Sequence, residues 1–167
     1  MPALIITLCI DAESQQFFNA LRAKHFPAHA NYLDAHVTLF HRLPVQQPVI
    51  EQGLPGFAQR SPMVIDVTGI SHAGNWVAYA LQSEALQQLH LNMQQLFSPW
   101  LTRQDAKILK PHITVQNKVT AWKAQKLHQQ LVEQFIPFQL QATGLQTWLY
   151  QKGPWKALHH YPFTTGA

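Results

Sequence analysis

Apolar residues fill positions 3–10 almost without interruption (Ala3-Leu4-Ile5-Ile6-Thr7-Leu8-Cys9-Ile10), which is the pattern of a buried strand. Asp11 stands where a helix N-cap belongs, and Phe17, Phe18, Leu21 and Phe26 supply an apolar face running up to Pro27. Residues 35–43 alternate as a strand. The next stretch, 44–62, holds Pro44, Pro48, Pro55 and Pro62 with Gly53 and Gly56, and predicts a loop with at most a short helix over 48–52. Met63–Ile70 and Trp76–Leu81 read as a hairpin closed by a five-residue turn.

Ser83 opens a helix with Leu86, Leu89, Met93 and Leu96 on its apolar face. A polar loop leads to a strand over 111–119. Thr120 then caps a helix marked by Trp122, Leu127, Leu131 and Phe135. The C-terminal part divides into strand-like pieces 138–143, 145–150 and 155–161, with Gly144 and Lys152-Gly153-Pro154 as turns. Hairpins outnumber crossovers, so the fold class is α+β with mostly antiparallel sheets. The second half partly echoes the first, which predicts one domain over 1–167 made of two lobes. The glutamines of the helices (Gln87, Gln88, Gln94, Gln95, Gln129, Gln130) read as solvated faces without a function.

The composition narrows the class. At 47% hydrophobic and 12% charged residues, the chain has ample material for a core and a sparsely charged surface. No apolar run approaches the roughly 20 residues of a membrane helix. The first residues lack the basic start and small-residue cleavage site of a signal peptide. Cys9 is the only cysteine, which excludes an internal disulfide; the expectation is a cytoplasmic protein, with Cys9 buried and inert. A formal charge of +4 suits a phosphate-bearing ligand without requiring one.

Two segments align position by position. His36-Val37-Thr38-Leu39-Phe40-His41-Arg42-Leu43 and His112-Ile113-Thr114-Val115-Gln116-Asn117-Lys118-Val119 both read His, β-branched, Thr, aliphatic, any, His or Asn, basic, aliphatic. With ten His and ten Thr, His-x-Thr arises by chance about 0.6 times in this chain, so one copy means nothing. Two copies with matched flanks carry weight.

The strand period gives the spacing its meaning. Residues i and i+2 project from the same face, roughly 6.5–7 Å apart. His36 and Thr38 project together while Val37 and Leu39 enter the core; His112, Thr114, Ile113 and Val115 repeat the arrangement. Two such strands across a groove suit phosphodiester chemistry. One neutral imidazole takes the proton of the attacking oxygen, and a second, protonated, gives one to the departing oxygen. The threonine hydroxyls donate to the non-bridging oxygens, where charge accumulates. No metal or other cofactor is required.

These paired His-x-Thr segments, 76 residues apart, resemble the signature of the 2H phosphoesterase superfamily, and more narrowly its bacterial 2′-5′ RNA ligase-like, RNA 2′,3′-cyclic phosphodiesterase branch. The resemblance implies a bilobal, pseudo-twofold fold with helices on the outer faces and one motif per lobe beside a central groove. It implies metal-independent catalysis with His36 and His112 as acid and base and Thr38 and Thr114 as phosphate ligands. The substrate it implies is a 2′,3′-cyclic phosphate or 2′-5′ linkage on an RNA end or small nucleotide. Pro111 precedes the second His, but Ala35 precedes the first, and Asn117-Lys118 stands where that group often carries an Arg.

Further candidates are weaker. Arg42 and Lys118 are candidate substrate contacts, although a straight strand puts each about 20 Å from its histidine, where a solvated strand end is an equal reading. Trp155, with Trp148 and Tyr150, offers a ring for base stacking, against the more frequent role of packing. The tandem His159-His160 points to opposite faces and makes a poor metal site. A zinc site is disfavoured by the lack of His-Glu-x-x-His or a cysteine cluster. Two other readings stay open: a non-catalytic RNA- or nucleotide-binding module, and a phosphoesterase for a non-RNA cyclic phosphate. The expected protein is a monomer with no membrane partner.

Overall fold

In the computed structural model, which describes residues 2–165, the helix signals sit where capping chemistry puts them. Asp11, Ser83 and Thr120 each accept a backbone N–H from three residues on, at Ser14, Leu86 and Lys123. The elements run β1 (Ala3–Ile10), α1 (Ala12–His25), β2 (Val37–Leu43), α2 (Pro48–Phe57), β3 (Met63–Ala73), β4 (Trp76–Gln82), α3 (Glu84–Phe97), β5 (His112–Gln116), α4 (Ala121–Gln134), β6 (Phe138–Tyr150) and β7 (Lys156–Pro162). The strands form one antiparallel sheet in the order β2-β1-β6-β3-β4-β5, with β7 beside β6. This is a mixed α+β fold, as the interspersed hairpins predict.

The two strands bearing the repeated motif lie at opposite ends of this path. Each of the other strands on the path has a neighbour on both sides, whereas β2 and β5 each keep one open edge. The aliphatics between the polar positions are buried: Val37, Leu39, Ile113 and Val115 are all 1% exposed or less. Burying four such side chains contributes roughly 1.5–3 kcal/mol each and fixes the face on which His and Thr stand.

Several local expectations are corrected. Gly144 is no turn: β6 runs continuously from Phe138 to Tyr150, pairing β1 along one edge and β3 then β7 along the other. Its lack of a side chain serves close approach, since a Cβ there would lie 2.8 Å from the Tyr161 carbonyl oxygen. The β3–β4 turn has two residues, Gly74-Asn75, not five, with Gly74 at a φ of 54°. The proline-rich stretch holds a ten-residue helix rather than a short one. Pro48 sits at its first turn, and burial of Ile50 and Leu54 four residues apart outweighs the penalty of Pro55 near its end.

The helix faces also shift. On α1 the buried positions are Ser14, Phe18 and Arg22, while Phe17 is exposed. On α3 they are Leu86, Leu89, His90, Met93 and Phe97, with Leu96 turned outward. Trp122 is exposed on α4, where the Lys126 ammonium lies 5.1 Å from its ring centre. The buried faces also admit polar side chains with backbone partners: Arg22 donates to the Thr114 carbonyl, and the His90 ring lies 3.0 Å from the Leu39 carbonyl.

Candidate functional site

His36 is the residue immediately before β2, and His112 is the first residue of β5. Each ring is anchored in the same way. His36 Nδ1 lies 2.8 Å from the carbonyl oxygen of Asp34, and His112 Nδ1 lies 2.8 Å from that of Lys110. A carbonyl only accepts, so Nδ1 carries the proton in both rings and Nε2 is the open nitrogen. Both rings are half-buried, as are Thr38 and Thr114.

The segments leading into the two histidines are fastened from helices. Gln15 and Asn19 of α1 reach the carbonyl and N–H of Ala35, each at 2.8 Å. On α3, Gln87 donates to the Leu109 carbonyl at 2.8 Å, and on β4 the Leu81 N–H donates to the Pro111 carbonyl. Gln94 donates to the carbonyls of Asp105 and Lys107, both at 2.9 Å. The helical glutamines expected to be idle are therefore divided: Gln87 and Gln94 brace the loop before His112, while Gln88 bonds only Asn92 on its own helix.

An indole stands at each histidine. Trp76 meets His112 edge-to-face at 5.1 Å, and Trp155 meets His36 at 5.2 Å. Trp76 Nε1–H also donates to Thr114 Oγ1 at 3.0 Å. That bond occupies a lone pair of the hydroxyl and leaves its own proton free to donate toward the groove. On the other motif the matching bond falls one strand away: Trp148 Nε1–H donates to Thr7 Oγ1 at 2.9 Å, and Thr7 is the cross-strand partner of Thr38.

The two sheet ends come together around Arg22, which sequence reading left unmarked among the polar positions of α1. Its guanidinium is buried, with Nη1 donating to the Thr114 carbonyl at 2.9 Å and Nε to Asn31 Oδ1 at 3.1 Å. Asp34 is its nearby anion. Desolvation drives the pKa of His36 down to about 4, against the Asp34 carbonyl bond that raises it; Arg22, His112 and His41 lower it further. His36 is therefore neutral at neutral pH. Thr38 and His112 line a common cavity of about 450 Å³ with His41 and Asp105.

Asp105 is the second residue missed, since nothing in a polar loop distinguishes it by sequence. Its side chain is fully buried and takes two consecutive backbone N–H groups of β2, His41 to Oδ1 and Arg42 to Oδ2, both at 2.8 Å. Two register shifts in the β1–β2 ladder make this possible. They place Leu39 and Phe40 both inward and His41 and Arg42 both outward, breaking the strict alternation expected of 35–43. The His41 ring adds Nδ1 at 3.2 Å. Burial raises the Asp105 carboxyl pKa, but the His41 ring bond and the two N–H groups outweigh it and hold it below the usual range. His90 stacks on Phe40 at 4.7 Å and approaches the Leu39 carbonyl at 3.0 Å; desolvation lowers its pKa.

Arg42, Lys118 and Trp155 line one cavity of about 580 Å³. The bulge turns Arg42 to it. The strand β5 ends at Gln116, and Lys118 follows at a left-handed φ of 58°, its N–H held by Asn117 Oδ1 at 2.8 Å. His159 and His160 lie exposed on β7, away from this region. Cys9 is half-buried, and burial pushes its thiol up to about 11. Among the described residues no three His, Cys, Asp or Glu side chains group at metal-binding distance, and no helix is long and apolar enough to cross a membrane.

Known structures share this fold over nearly the whole chain. The protein TT0787 of Thermus thermophilus superposes with a TM-score of 0.65 at 15% identity, covering 96% of this chain and 97% of that one. E. coli LigT complexed with NADP+ gives 0.60 at 16% identity, covering 99% and 100%. E. coli LigT complexed with 3′-AMP gives 0.58 at 17% identity, covering 98% and 99%. No curated protein matches the sequence. The family model of the 2′-5′ RNA ligase superfamily matches residues 10–154, a span that contains both His-x-Thr segments, and the chain belongs to that superfamily.

Proposed function

We propose that the protein is a metal-independent phosphoesterase that hydrolyses, or reversibly forms, a 2′,3′-cyclic phosphate or 2′-5′ phosphodiester on RNA ends or small nucleotides. The observation that carries this reading is the twofold anchoring of His36 and His112. Two imidazoles hold their Nδ1 protons on backbone carbonyls two residues upstream, each with a threonine two residues downstream. Both Nε2 atoms are then free for proton transfer. On this reading the halves β2-β1-β6 and β3-β4-β5 of the sheet are two pseudo-symmetric lobes, each ending in one motif. A monomer in the cytoplasm fits the single thiol. The nucleotide complexes of E. coli LigT support a nucleotide ligand on the same fold.

The two histidines divide the work by their surroundings. His36, desolvated and neutral, takes the proton from the attacking water. His112 protonates the ribose oxygen that leaves, with the roles reversed in ligation. Thr114, its lone pair taken by Trp76, donates to a non-bridging oxygen, and Thr38 faces the phosphate from β2. The buried Arg22 guanidinium lies beneath both strands and makes their surroundings favourable to an anion.

Hydrolysis of a nucleoside 2′,3′-cyclic phosphate tests the reading. His36→Ala and His112→Ala each lower the rate by roughly 10²–10⁴, and EDTA leaves the native rate unchanged. Full activity in either variant overturns the two-histidine mechanism. Loss of activity in EDTA transfers the chemistry to a metal. Parallel assays with 2′-5′ oligonucleotides and sugar cyclic phosphates separate the RNA reading from that of another cyclic phosphate.

A further inference from the structure

The cavity holding Arg42, Lys118 and Trp155 is joined to the reaction site on two sides. Trp155 packs against His36 and also lines this cavity. His41 and Gln104 line it together with the cavity that holds Thr38 and His112. His41 and Gln104 thus stand between the two spaces, the His41 ring held from behind by a fully buried carboxylate. Its Nδ1 faces Asp105, so Nε2 is the open edge of the ring.

The cations are as deliberately placed. Two register shifts in β2 turn His41 and Arg42 outward together, and Asp105 fixes both of their backbone N–H groups. Lys118 arrives through a left-handed backbone that a non-glycine residue adopts only at a conformational cost. Tyr32, Tyr150 and Trp155 add aromatic rings to the same cavity, with Tyr32 62% exposed. Paired cations beside open rings are the surface that a phosphate and its base require.

We infer that this cavity is a second-phosphate subsite, in which His41, Arg42 and Lys118 take the phosphate one nucleotide away from the reacting one while the aromatic rings take a base. The inference rests on the phosphoesterase reading for the position of the reacting phosphate. His41, three residues beyond Thr38, lines the cavity of Thr38 and His112 as well as this one, so the two phosphate positions lie on either side of one residue. Asp105 is a positioning residue: it touches no substrate and holds the bulge that presents the cations. The preferred substrate is therefore an oligonucleotide end rather than a lone cyclic nucleotide.

Calorimetric titration tests this with two probes, adenosine 3′-phosphate and the dinucleotide ApA carrying a 3′-phosphate. The native protein binds the dinucleotide roughly tenfold or more tightly. In Arg42→Gln/Lys118→Gln that preference disappears while affinity for the mononucleotide holds, and His41→Gln removes part of it. Equal affinities in the native protein, or equal weakening of both probes in the variants, overturn the subsite. Turnover is read separately with the cyclic-phosphate forms of both probes. A dinucleotide preference in binding without turnover of either form defeats the phosphoesterase reading and upholds the subsite; turnover of both at equal kcat/KM does the reverse.

Discussion

The strands β2 and β5 carry the same eight-residue pattern yet diverge within a few residues of their histidines. At the start they are alike: a ring held through Nδ1 by a carbonyl two residues back, a threonine two residues on, and an indole against the ring. Beyond the threonine they part. The strand β5 shifts register once against β4, between Thr114 and Gln116, and then turns at Lys118. The strand β2 is bulged twice, and its open edge is closed by the Asp105 carboxylate. Repetition extends as far as the proposed proton transfer and phosphate contact need it. Past that point one half presents a wall of the groove and the other a single cation.

In the proposed mechanism proton transfer is divided unequally, and this is where the comparison breaks with the largest effect. His36 is desolvated to a pKa of about 4, so it starts as a base. With a phosphodiester whose leaving group is a nitrophenol, no acid is needed at departure. On that substrate His112→Ala regains most of the roughly 10²–10⁴ it loses on a ribose leaving group, whereas His36→Ala does not. The sign of the pH dependence agrees. A lowered histidine pKa keeps the base unprotonated through pH 5–7, so kcat/KM of the native enzyme falls on the acid side only below the ordinary histidine range. Equal rescue of both variants, or an acid limb near 6.5, removes the assignment.

The site's core was legible from two patterns, the repeat and the period of two, because His-x-Thr on a half-buried strand is a local relation. What was hidden depends on distant partners. Asp105 matters because β2 bulges at 41–42, and the bulge is set by pairing with β1, which no local pattern discloses. Arg22 carries no local signal, because its partner, the Thr114 carbonyl, lies 92 residues away. Gly144 looked like a turn because the pressure of Tyr161 on it comes from the next strand. A straight strand carries Arg42 and Lys118 away from their histidines, whereas the folded sheet brings both to one cavity.

Stability sharpens the same contrast at the ends of the two motif strands. Asp105→Ala strips a fully buried acceptor from two backbone donors and a ring, leaving the N–H groups of His41 and Arg42 without it. The expected loss is about 2–4 kcal/mol in denaturant unfolding. Asn117→Ala, at the end of β5, removes one bond to the Lys118 N–H in an exposed turn, worth about 0.5–1.5 kcal/mol. If the two variants lose equal stability, β2 is not held by its carboxylate in the way the bulge requires.

The smallest effect separates the two indoles. Trp76 bonds Thr114 itself, whereas Trp148 bonds Thr7, the neighbour of Thr38. Replacing Trp76 by Phe keeps an aromatic ring beside His112 but frees the Thr114 oxygen, whose hydroxyl then rotates among several acceptors. The donor is no longer aimed when charge builds on the non-bridging oxygens, so kcat falls roughly three- to tenfold with KM little changed. Trp148→Phe leaves Thr38 untouched and changes kcat by less than about twofold. Its cost appears in the unfolding midpoint, because the Thr7 hydroxyl is buried and loses its donor. A matched fall in kcat for both variants makes Thr7 an equal partner of Thr114, and the lobe around β2 then reaches the phosphate through β1 as well as through Thr38.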